Sequence, residues 1–271
     1  MSRVDGAGCA LCGGERFRTL FVARDRLLGR PGEFPVARCH ACGLTQLRPP
    51  PSADTLAAHY PDTYYPLDAE PAAEAIDVAR GLLERVADWT TRSGRTAPRV
   101  LDVGCGTGLY LHLARQQGMS ARGVELSESA AAYGRERFGL DIHHGTLETA
   151  ALSPGSFDVI TMWHVLEHLP DPVGALRRCA SALAPGGSLL IGTPNFASFE
   201  ARVFGRRWYS LDAPRHLYHF TPWTLAAALQ RADMQVEQIV HSTGTAGLVY
   251  SIMGDLTGVS LKLRSRPLNE S

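Results

Sequence analysis

The sequence predicts a doubly wound, mostly parallel α/β sheet preceded by a small cysteine-rich segment. From residue 99 onward, short apolar runs alternate with amphipathic helical stretches, which is the pattern of the β-α-β units that build parallel sheets. The first apolar run leads directly into Gly104, Gly106 and Gly108. Two Cys-x-x-Cys pairs lie near the start of the chain, before this pattern begins.

The bulk composition suits one such domain with a small appendage. The chain has 271 residues, of which 45% are hydrophobic, and this is enough apolar material for a full core. It carries 27 basic and 27 acidic residues, and zero net charge argues against duplex nucleic acid as a partner. The N-terminus has no apolar signal-peptide region and no run of about 18 apolar residues occurs, so we expect a cytoplasmic chain with no membrane partner. The oligomeric state stays open.

The cysteine pairs predict a structural zinc ribbon. Four cysteines stand as two Cys-x-x-Cys knuckles, each followed by glycine: Cys9, Cys12, Cys39 and Cys42. Four thiolates at this spacing suit tetrahedral Zn²⁺ and leave no open coordination position. The alternative is a set of redox pairs or free thiols. His40 lies between two of the predicted ligands and is interpreted as a bystander, and residues 17–34 should form a hairpin or loop.

A linker and a helix follow the cysteine-rich segment. Prolines make residues 46–51 extended. Tyr60, Tyr64 and Tyr65 then cluster among prolines, where they either pack onto the main domain or line the mouth of a ligand site. Residues 70–92 have one apolar face and are predicted to be helical.

The alternating region supplies the strands and helices of the sheet. The predicted strands are 100–103, 121–125, a short one at 141–143, 157–162 and 188–192. The predicted helices are 109–117, 128–138, 172–183 and one that starts at Pro222, with Thr221 as its N-cap. In such a sheet, ligands bind at the carboxyl ends of the strands, near the point where strand order reverses.

The glycine turn and Glu125 together predict a nucleoside site. Glycine lets a turn bend sharply and brings backbone N–H groups close to a ligand, although a tight turn without a ligand is the plainer interpretation. Glu125 ends the second strand, where a carboxylate can accept hydrogen bonds from both ribose hydroxyls. Its alternative role is to cap the next helix. The glycine spacing departs from the dinucleotide fingerprint and favours a nucleoside without pyrophosphate.

These features resemble the class I S-adenosylmethionine (SAM)-dependent methyltransferases, which have a Rossmann-like fold. The resemblance covers residues 98–240 and is carried by 101–108, Glu125, 157–160, 164–169 and 183–187. It implies SAM as cofactor and a set of cofactor-binding residues: Asp102, Gly104, Gly106 and Gly108 on the methionyl side, Glu125 on the ribose, Leu126 beside the adenine, Thr146 and Leu147 where the family often has Asp, and His164 lining the pocket.

A narrower resemblance extends over nearly the whole chain. The four-cysteine ribbon, the stretch 61–65 and the stretch 214–220 together are similar to zinc-ribbon methyltransferases of bacterial glycan and natural-product biosynthesis, and to sugar C-methyltransferases. This implies a zinc ribbon over 1–50, a linker and helix covering the SAM site over 51–97, and a SAM-binding domain over 98–271. It also implies a small-molecule acceptor, namely a sugar, a glycan precursor or a natural-product intermediate. A last strand is expected at 258–263.

The segment His164-Val-Leu-Glu-His168 matches a zinc-peptidase pattern. That pattern needs a sustained helix, whereas this segment directly follows a strand and stops before Pro170. A divalent metal held by His164, Glu167 and His168 stays open as an alternative. The default interpretation is that His164 lines the SAM pocket while the other two residues orient the loop.

The stretch 206–221 is predicted to lie over the methyl group and to face the acceptor. Methyl transfer to oxygen or carbon requires removal of a proton, and His216 is the first candidate base and His219 the second. Tyr209 is a further candidate catalytic residue. Arg215 is predicted to bind a phosphate of a nucleotide-linked substrate. The alternative is that these residues only pack and hydrogen-bond the segment.

Two other functions stay open on the sequence alone. One is methylation of an RNA base, against which the zero net charge and the absence of a Lys/Arg cluster weigh. The other is a non-catalytic protein whose ribbon binds partners. Whether carbon, oxygen or nitrogen is methylated is also open.

Overall fold

The computed structural model describes residues 8–60 and 73–241. The chain separates into two compact units. Of the described residues, the ribbon unit comprises 8–60, 194–225 and 236–241, and the sheet unit comprises 73–193 and 226–235. Tyr64, Tyr65 and the predicted strand at 258–263 lie outside the described residues. Residues 194–225, which we expected to belong to the SAM-binding segment, group with the N-terminal residues.

The ribbon unit contains a four-stranded antiparallel sheet. Its strands are β1 (Phe17–Ala23), β2 (Phe34–Cys39), β3 (Thr45–Leu47) and β9 (Tyr218–His219), in the order β1-β2-β3-β9. The hairpin predicted across residues 17–34 is present, because β1 pairs with β2. β9 pairs with β3, and this ladder explains why residues 194–225 group with the start of the chain.

Short helices complete the ribbon unit. They are α1 (Ala53–Ala58), α6 (Phe199–Phe204) and two 3₁₀ turns, Gly205–Arg207 and Tyr209–Leu211. Serine hydroxyls cap the starts of α1 and α6, and such caps satisfy N–H groups that have no partner inside a helix.

The sheet unit has five parallel strands in the order β6-β5-β4-β7-β8. They are β4 (Arg99–Val103), β5 (Ser120–Glu125), β6 (Asp141–His144), β7 (Phe157–Trp163) and β8 (Leu183–Gly192). Its helices are α2 (Ala73–Ser93), α3 (Leu109–Gln116), α4 (Glu128–Phe138) and α5 (Pro172–Ala182). α7 (Pro222–Gln230) starts in the ribbon unit and ends in the sheet unit. The predicted α/β fold with a parallel sheet is confirmed, and β8 starts five residues earlier than predicted.

The core of the sheet unit forms around β4, α2 and α3. Val100 is fully buried at the centre of the sheet, and the apolar face of α2 packs there through Leu82, Val86 and Trp89 together with Leu111 of α3. α2 therefore belongs to the hydrophobic core of this unit. Among the described helices, none is long and apolar enough to cross a membrane.

Candidate functional site

Four neighbouring strands of the sheet unit end at the same edge, and the predicted cofactor residues follow them. Gly104 follows β4, Glu125 ends β5, Thr146 follows β6 and His164 follows β7. β4 lies between β5 and β7, so the chain leaves the centre of the sheet in both directions from this point. In sheets of this kind ligands bind at the carboxyl ends of the strands where the strand order reverses, and the predicted residues come at that edge.

The turn after β4 requires glycine at defined positions. Gly104, Gly106 and Gly108 have φ angles of 71°, 54° and 80°, in the left-handed region that favours glycine. A Cβ atom at Gly104 would lie 2.3 Å from Cγ2 of Val165, and one at Gly108 would lie 2.4 Å from Cδ1 of Leu140. Glycine at these positions therefore lets the backbone of the turn lie close to the side chains of Val165 and Leu140.

Glu125 is tied to this turn by backbone hydrogen bonds. Glu125 is 4% exposed. One oxygen accepts from the N–H of Gly106 at 2.8 Å and the other from the N–H of Ser127 at 2.8 Å. Ser127 is the N-cap of α4, so Glu125 does help to fix the start of that helix. Each carboxylate oxygen has two lone pairs, and the remaining two suit the pair of ribose hydroxyls.

A second carboxyl group lies under the turn. Asp102 is 6% exposed and accepts a 2.6 Å hydrogen bond from the hydroxyl of Thr161. Burial, with a smaller contribution from the negative charge of Glu125, raises the pKa of Asp102 to about 7. Asp102 therefore changes its charge near neutral pH.

Leu126, Thr146 and Leu147, the residues predicted on the adenine side of the site, differ in exposure. Leu126 is 70% exposed beside Glu125. Thr146 is exposed and its N–H donates to the hydroxyl of Thr149 at 3.0 Å. Leu147 is 3% exposed, and its carbonyl accepts from Nε of Arg178 at 2.6 Å. Leu126 and Thr146 thus offer surface to a ligand, while the side chain of Leu147 packs inside.

His164 has a strained backbone. Its φ of 55° is unusual for a residue with a side chain, and such strain clusters at functional sites. Its N–H donates to the carbonyl of Gly192 at 2.8 Å, and its Nδ1 lies 3.2 Å from Oε1 of Glu167. Leu166–His168 forms a single 3₁₀ turn, which is not the sustained helix that the peptidase pattern needs. The peptidase hypothesis is therefore rejected.

The four predicted zinc ligands come together in the ribbon unit. The Sγ atoms of Cys9, Cys12, Cys39 and Cys42 all lie within 4.8 Å of one another. All six cysteines lie in the described residues, and none of them forms a disulfide there. Tetrahedral Zn²⁺ with bonds of about 2.3 Å separates sulfur atoms by about 3.8 Å, so the cluster fits this ion.

Hydrogen bonds within each knuckle support the cluster. The N–H of Gly13 donates to the carbonyl of Cys9 at 2.8 Å, and that of Gly43 to the carbonyl of Cys39 at 3.1 Å. Both glycines have positive φ. Burial raises the pKa of the Cys39 thiol, but N–H groups that include those of Cys42 and Ala41 lower it more, to about 7. His40 is exposed, in keeping with its interpretation as a bystander.

The structure contradicts the predicted phosphate role of Arg215. Its side chain is completely buried, and the guanidinium forms a bidentate pair with Asp25 at 2.8 and 3.0 Å. It also donates to Asp212 at 2.5–3.1 Å and to the carbonyl of His59 at 3.2 Å. Because these groups occupy the guanidinium, no donor remains for a phosphate. The positive charge of Arg215 instead pairs with Asp25, which lies 190 positions earlier in the chain.

The candidate catalytic residues also belong to the ribbon unit. Nδ1 of His216 lies 2.9 Å from the carbonyl of Ser210, and its Nε2 lies 3.8 Å from Oδ2 of Asp212. Because a carbonyl can only accept, Nδ1 carries the proton, and Nε2 is the basic nitrogen. His219 is 3% exposed on β9, whereas Tyr209 is 41% exposed. Their roles in catalysis stay predictions.

A family model described as a methyltransferase domain matches residues 72–239, which is more than half of the chain. Among curated proteins, the chain is 34% identical over 162 residues to a ubiquinone biosynthesis O-methyltransferase of Xanthomonas euvesicatoria, covering 55% of this chain and 68% of the relative. It is 31% identical over 182 residues to the protein of that name from Aromatoleum aromaticum, covering 62% and 78%.

Solved structures share the fold at lower identity. YcgJ of Bacillus subtilis has a TM-score of 0.50 and 21% identity, over 66% of this chain and 78% of that one. The [4+2]-cyclase SpnF has a TM-score of 0.51 and 22% identity, over 68% and 72%. A cyclase with this architecture is a reminder that fold does not define the reaction.

Proposed function

The chain belongs to the SAM-dependent methyltransferases, and on that premise we propose that it methylates a small-molecule acceptor. The observation that carries the proposal is the buried carboxylate of Glu125, fixed at 2.8 Å by the turn residue Gly106 at the carboxyl edge of a parallel sheet. SAM, when bound, supplies an electrophilic methyl group on a sulfonium. The chain's own part is to hold the ribose through Glu125, to hold the methionyl end along Gly104–Gly108 and to keep the nucleoside in the crevice.

For the acceptor, we propose a sugar, a glycan precursor or a natural-product intermediate. The four-cysteine ribbon and the segment containing His216 support this class, because they are the features through which the sequence resembles sugar C-methyltransferases. A phenolic acceptor is the second candidate, favoured by relatives that are named O-methyltransferases of ubiquinone biosynthesis. RNA and a non-catalytic role are weaker candidates for a chain of zero net charge.

His216 is the proposed base. A proton held on Nδ1 by the Ser210 carbonyl leaves Nε2 to take the proton of the acceptor. The carboxylate of Asp212, 3.8 Å from Nε2, stabilises the imidazolium that then forms.

The experiment is a release assay for S-adenosylhomocysteine with a panel of acceptors. The protein is incubated with SAM and, separately, with nucleotide-linked sugars, a catechol and an RNA oligonucleotide. Turnover with a sugar supports the proposed class, whereas turnover only with the catechol or the RNA contradicts it. With the active acceptor, His216→Ala should lower kcat by about 10²–10⁴-fold while SAM affinity stays unchanged. Full activity in this variant would remove His216 as the base.

Zinc in the four-cysteine cluster is proposed as a structural ion. The close approach of the four Sγ atoms supports it, and four thiolates leave no position open for a substrate. Metal analysis should therefore find about one zinc per chain. Removing one ligand by Cys39→Ser should abolish zinc retention and destabilise the ribbon unit, whereas Cys179→Ser should leave the zinc content unchanged. Metal-free wild-type protein of full stability would contradict the proposal.

A further inference from the structure

Two buried carboxyl groups lie on one face of the parallel sheet, those of Asp102 on β4 and Glu125 on β5. Asp102 is in register with Gly123, two residues before Glu125, and alternate residues of a strand share a face. No described arginine, lysine or histidine forms an ion pair with either carboxyl group. Buried acidic groups are normally paired, so a negative charge on both groups would be uncompensated.

The two carboxyl groups differ in the hydrogen bonds that they accept. Glu125 accepts from the backbone N–H groups of Gly106 and Ser127, each at 2.8 Å. Ser127 caps α4, so the positive end of that helix dipole also lies beside Glu125. These donors stabilise a negative charge on Glu125. Asp102 has one hydrogen-bond partner, the hydroxyl of Thr161 at 2.6 Å, so of the two groups Asp102 is the one that a proton stabilises more.

The hydroxyl of Thr161 can serve Asp102 in either charge state. Its Oγ1 lies 2.6 Å from Oδ1 of Asp102 and 3.4 Å from the carbonyl oxygen of Leu101. When Asp102 is charged, Thr161 donates its proton to the carboxylate. When Asp102 carries a proton, the carboxyl group donates to Thr161, and the hydroxyl proton of Thr161 turns to the carbonyl of Leu101. A hydroxyl has one donor and two lone pairs, so both states are hydrogen-bonded without movement of the backbone.

Two further titratable groups face Asp102, and both stay neutral. Cys105 comes from the turn after β4 and Tyr110 from the first turn of α3, and both are buried. Burial, with a smaller contribution from the charge of Asp102, raises the pKa of each of them. β7 faces Asp102 with the uncharged Thr161, and α2 contributes apolar residues to the same core cluster. Burial raises the pKa of Asp102 itself to about 7, in agreement with its lack of a cationic partner.

We propose that Asp102 carries a proton in the ligand-free protein and releases it when SAM binds, so that its carboxylate becomes a counter-ion for the cofactor. The inference rests on the proposed function, because it takes SAM as the ligand of this edge. SAM has a sulfonium and an ammonium group, and a nearby positive charge favours the ionised form of a carboxyl group. The O–H bond of the carboxyl group breaks and the proton passes to the buffer. SAM affinity therefore rises as the pH rises towards neutrality.

The test is calorimetry of SAM binding in two buffers of different ionisation enthalpy, which counts the protons released. With the pKa of Asp102 at about 7, the wild type should release about half a proton per SAM at about pH 7. Its Kd should rise about tenfold as the pH falls from about 7.5 to about 6. Asp102→Asn should bind SAM more weakly at the higher pH, release no proton and show little change over this range. The matched control Glu136→Gln, exposed on α4, should behave like the wild type.

Thr161→Val is the second variant and leaves Asp102 in place. It removes the hydrogen bond to the charged carboxylate, so the proton should still be released, with its midpoint about one pH unit higher. SAM binding by the wild type without proton release, or equal release by Asp102→Asn, would overturn the inference and leave the proposed function standing. An unmoved midpoint in Thr161→Val would also contradict it. No SAM binding at any pH would overturn the proposed function together with this inference.

Discussion

The glycine turn, which holds the buried Glu125, and the buried Arg215 cluster are assembled differently. The turn uses consecutive residues, Gly104–Gly108, with one further carboxylate from Glu125. The cluster joins Asp25, His59 and the neighbouring residues Asp212 and Arg215, which come from three distant stretches of the chain. The turn therefore depends on local backbone geometry, while the cluster depends on a charge balance that exists only after the ribbon unit has folded.

The largest expected effect is in the Arg215 cluster. Arg215→Ala leaves the buried carboxyl group of Asp25 and the partly buried one of Asp212 without their cation, and breaking a buried ion pair typically costs about 3–5 kcal/mol. The free energy of unfolding, measured by urea denaturation, should fall by that amount.

Arg24→Ala is the matched control for this change. The exposed pair of Arg24 with Glu33 is screened by solvent, so its loss should hardly alter stability. Similar stability of wild type and Arg215→Ala would contradict the account, because the cluster would then hold nothing together.

A smaller effect is expected in the glycine turn. Gly104→Ala places a side chain at a φ of 71° and 2.3 Å from Val165, and strain of this kind costs about 1–3 kcal/mol. Stability should fall and SAM binding should weaken. Val165→Ala in the same background should recover the part due to the clash.

Gly118 provides a control for the strain alone. Its φ is 80° and a Cβ there would meet nothing within 4 Å. Gly118→Ala should therefore cost less than Gly104→Ala and leave SAM affinity unchanged. Equal costs at the two positions would mean that the contact with Val165 is unimportant.

The contrast between the regions explains what the sequence could predict. The parallel sheet, the turn and the clustering of four cysteines follow from local spacing, and the structure confirms them. The predicted phosphate-binding role of Arg215 was wrong because its partner Asp25 lies 190 residues away in the chain. No local sequence pattern predicts an ion pair over that separation.

Two further features escaped prediction for related reasons. Residues 194–225 group with the N-terminal residues because β9 pairs with β3. A strand of two residues is too short for this pairing to be recognised in the sequence. His164 has a positive φ where its N–H donates to the carbonyl of Gly192 on the neighbouring strand, a contact between segments that are distant in the sequence.

The most direct test of the central claim is calorimetry of SAM binding to Glu125→Ala. Losing the carboxylate removes charge-assisted hydrogen bonds to the ribose, each worth about 1.5–3 kcal/mol, so affinity should fall roughly 100-fold or more. Glu128→Ala, exposed on the first turn of α4, should bind SAM like the wild type. Unchanged SAM affinity in Glu125→Ala would contradict the claim that the edge formed by Gly104–Gly108 and Glu125 is the cofactor site.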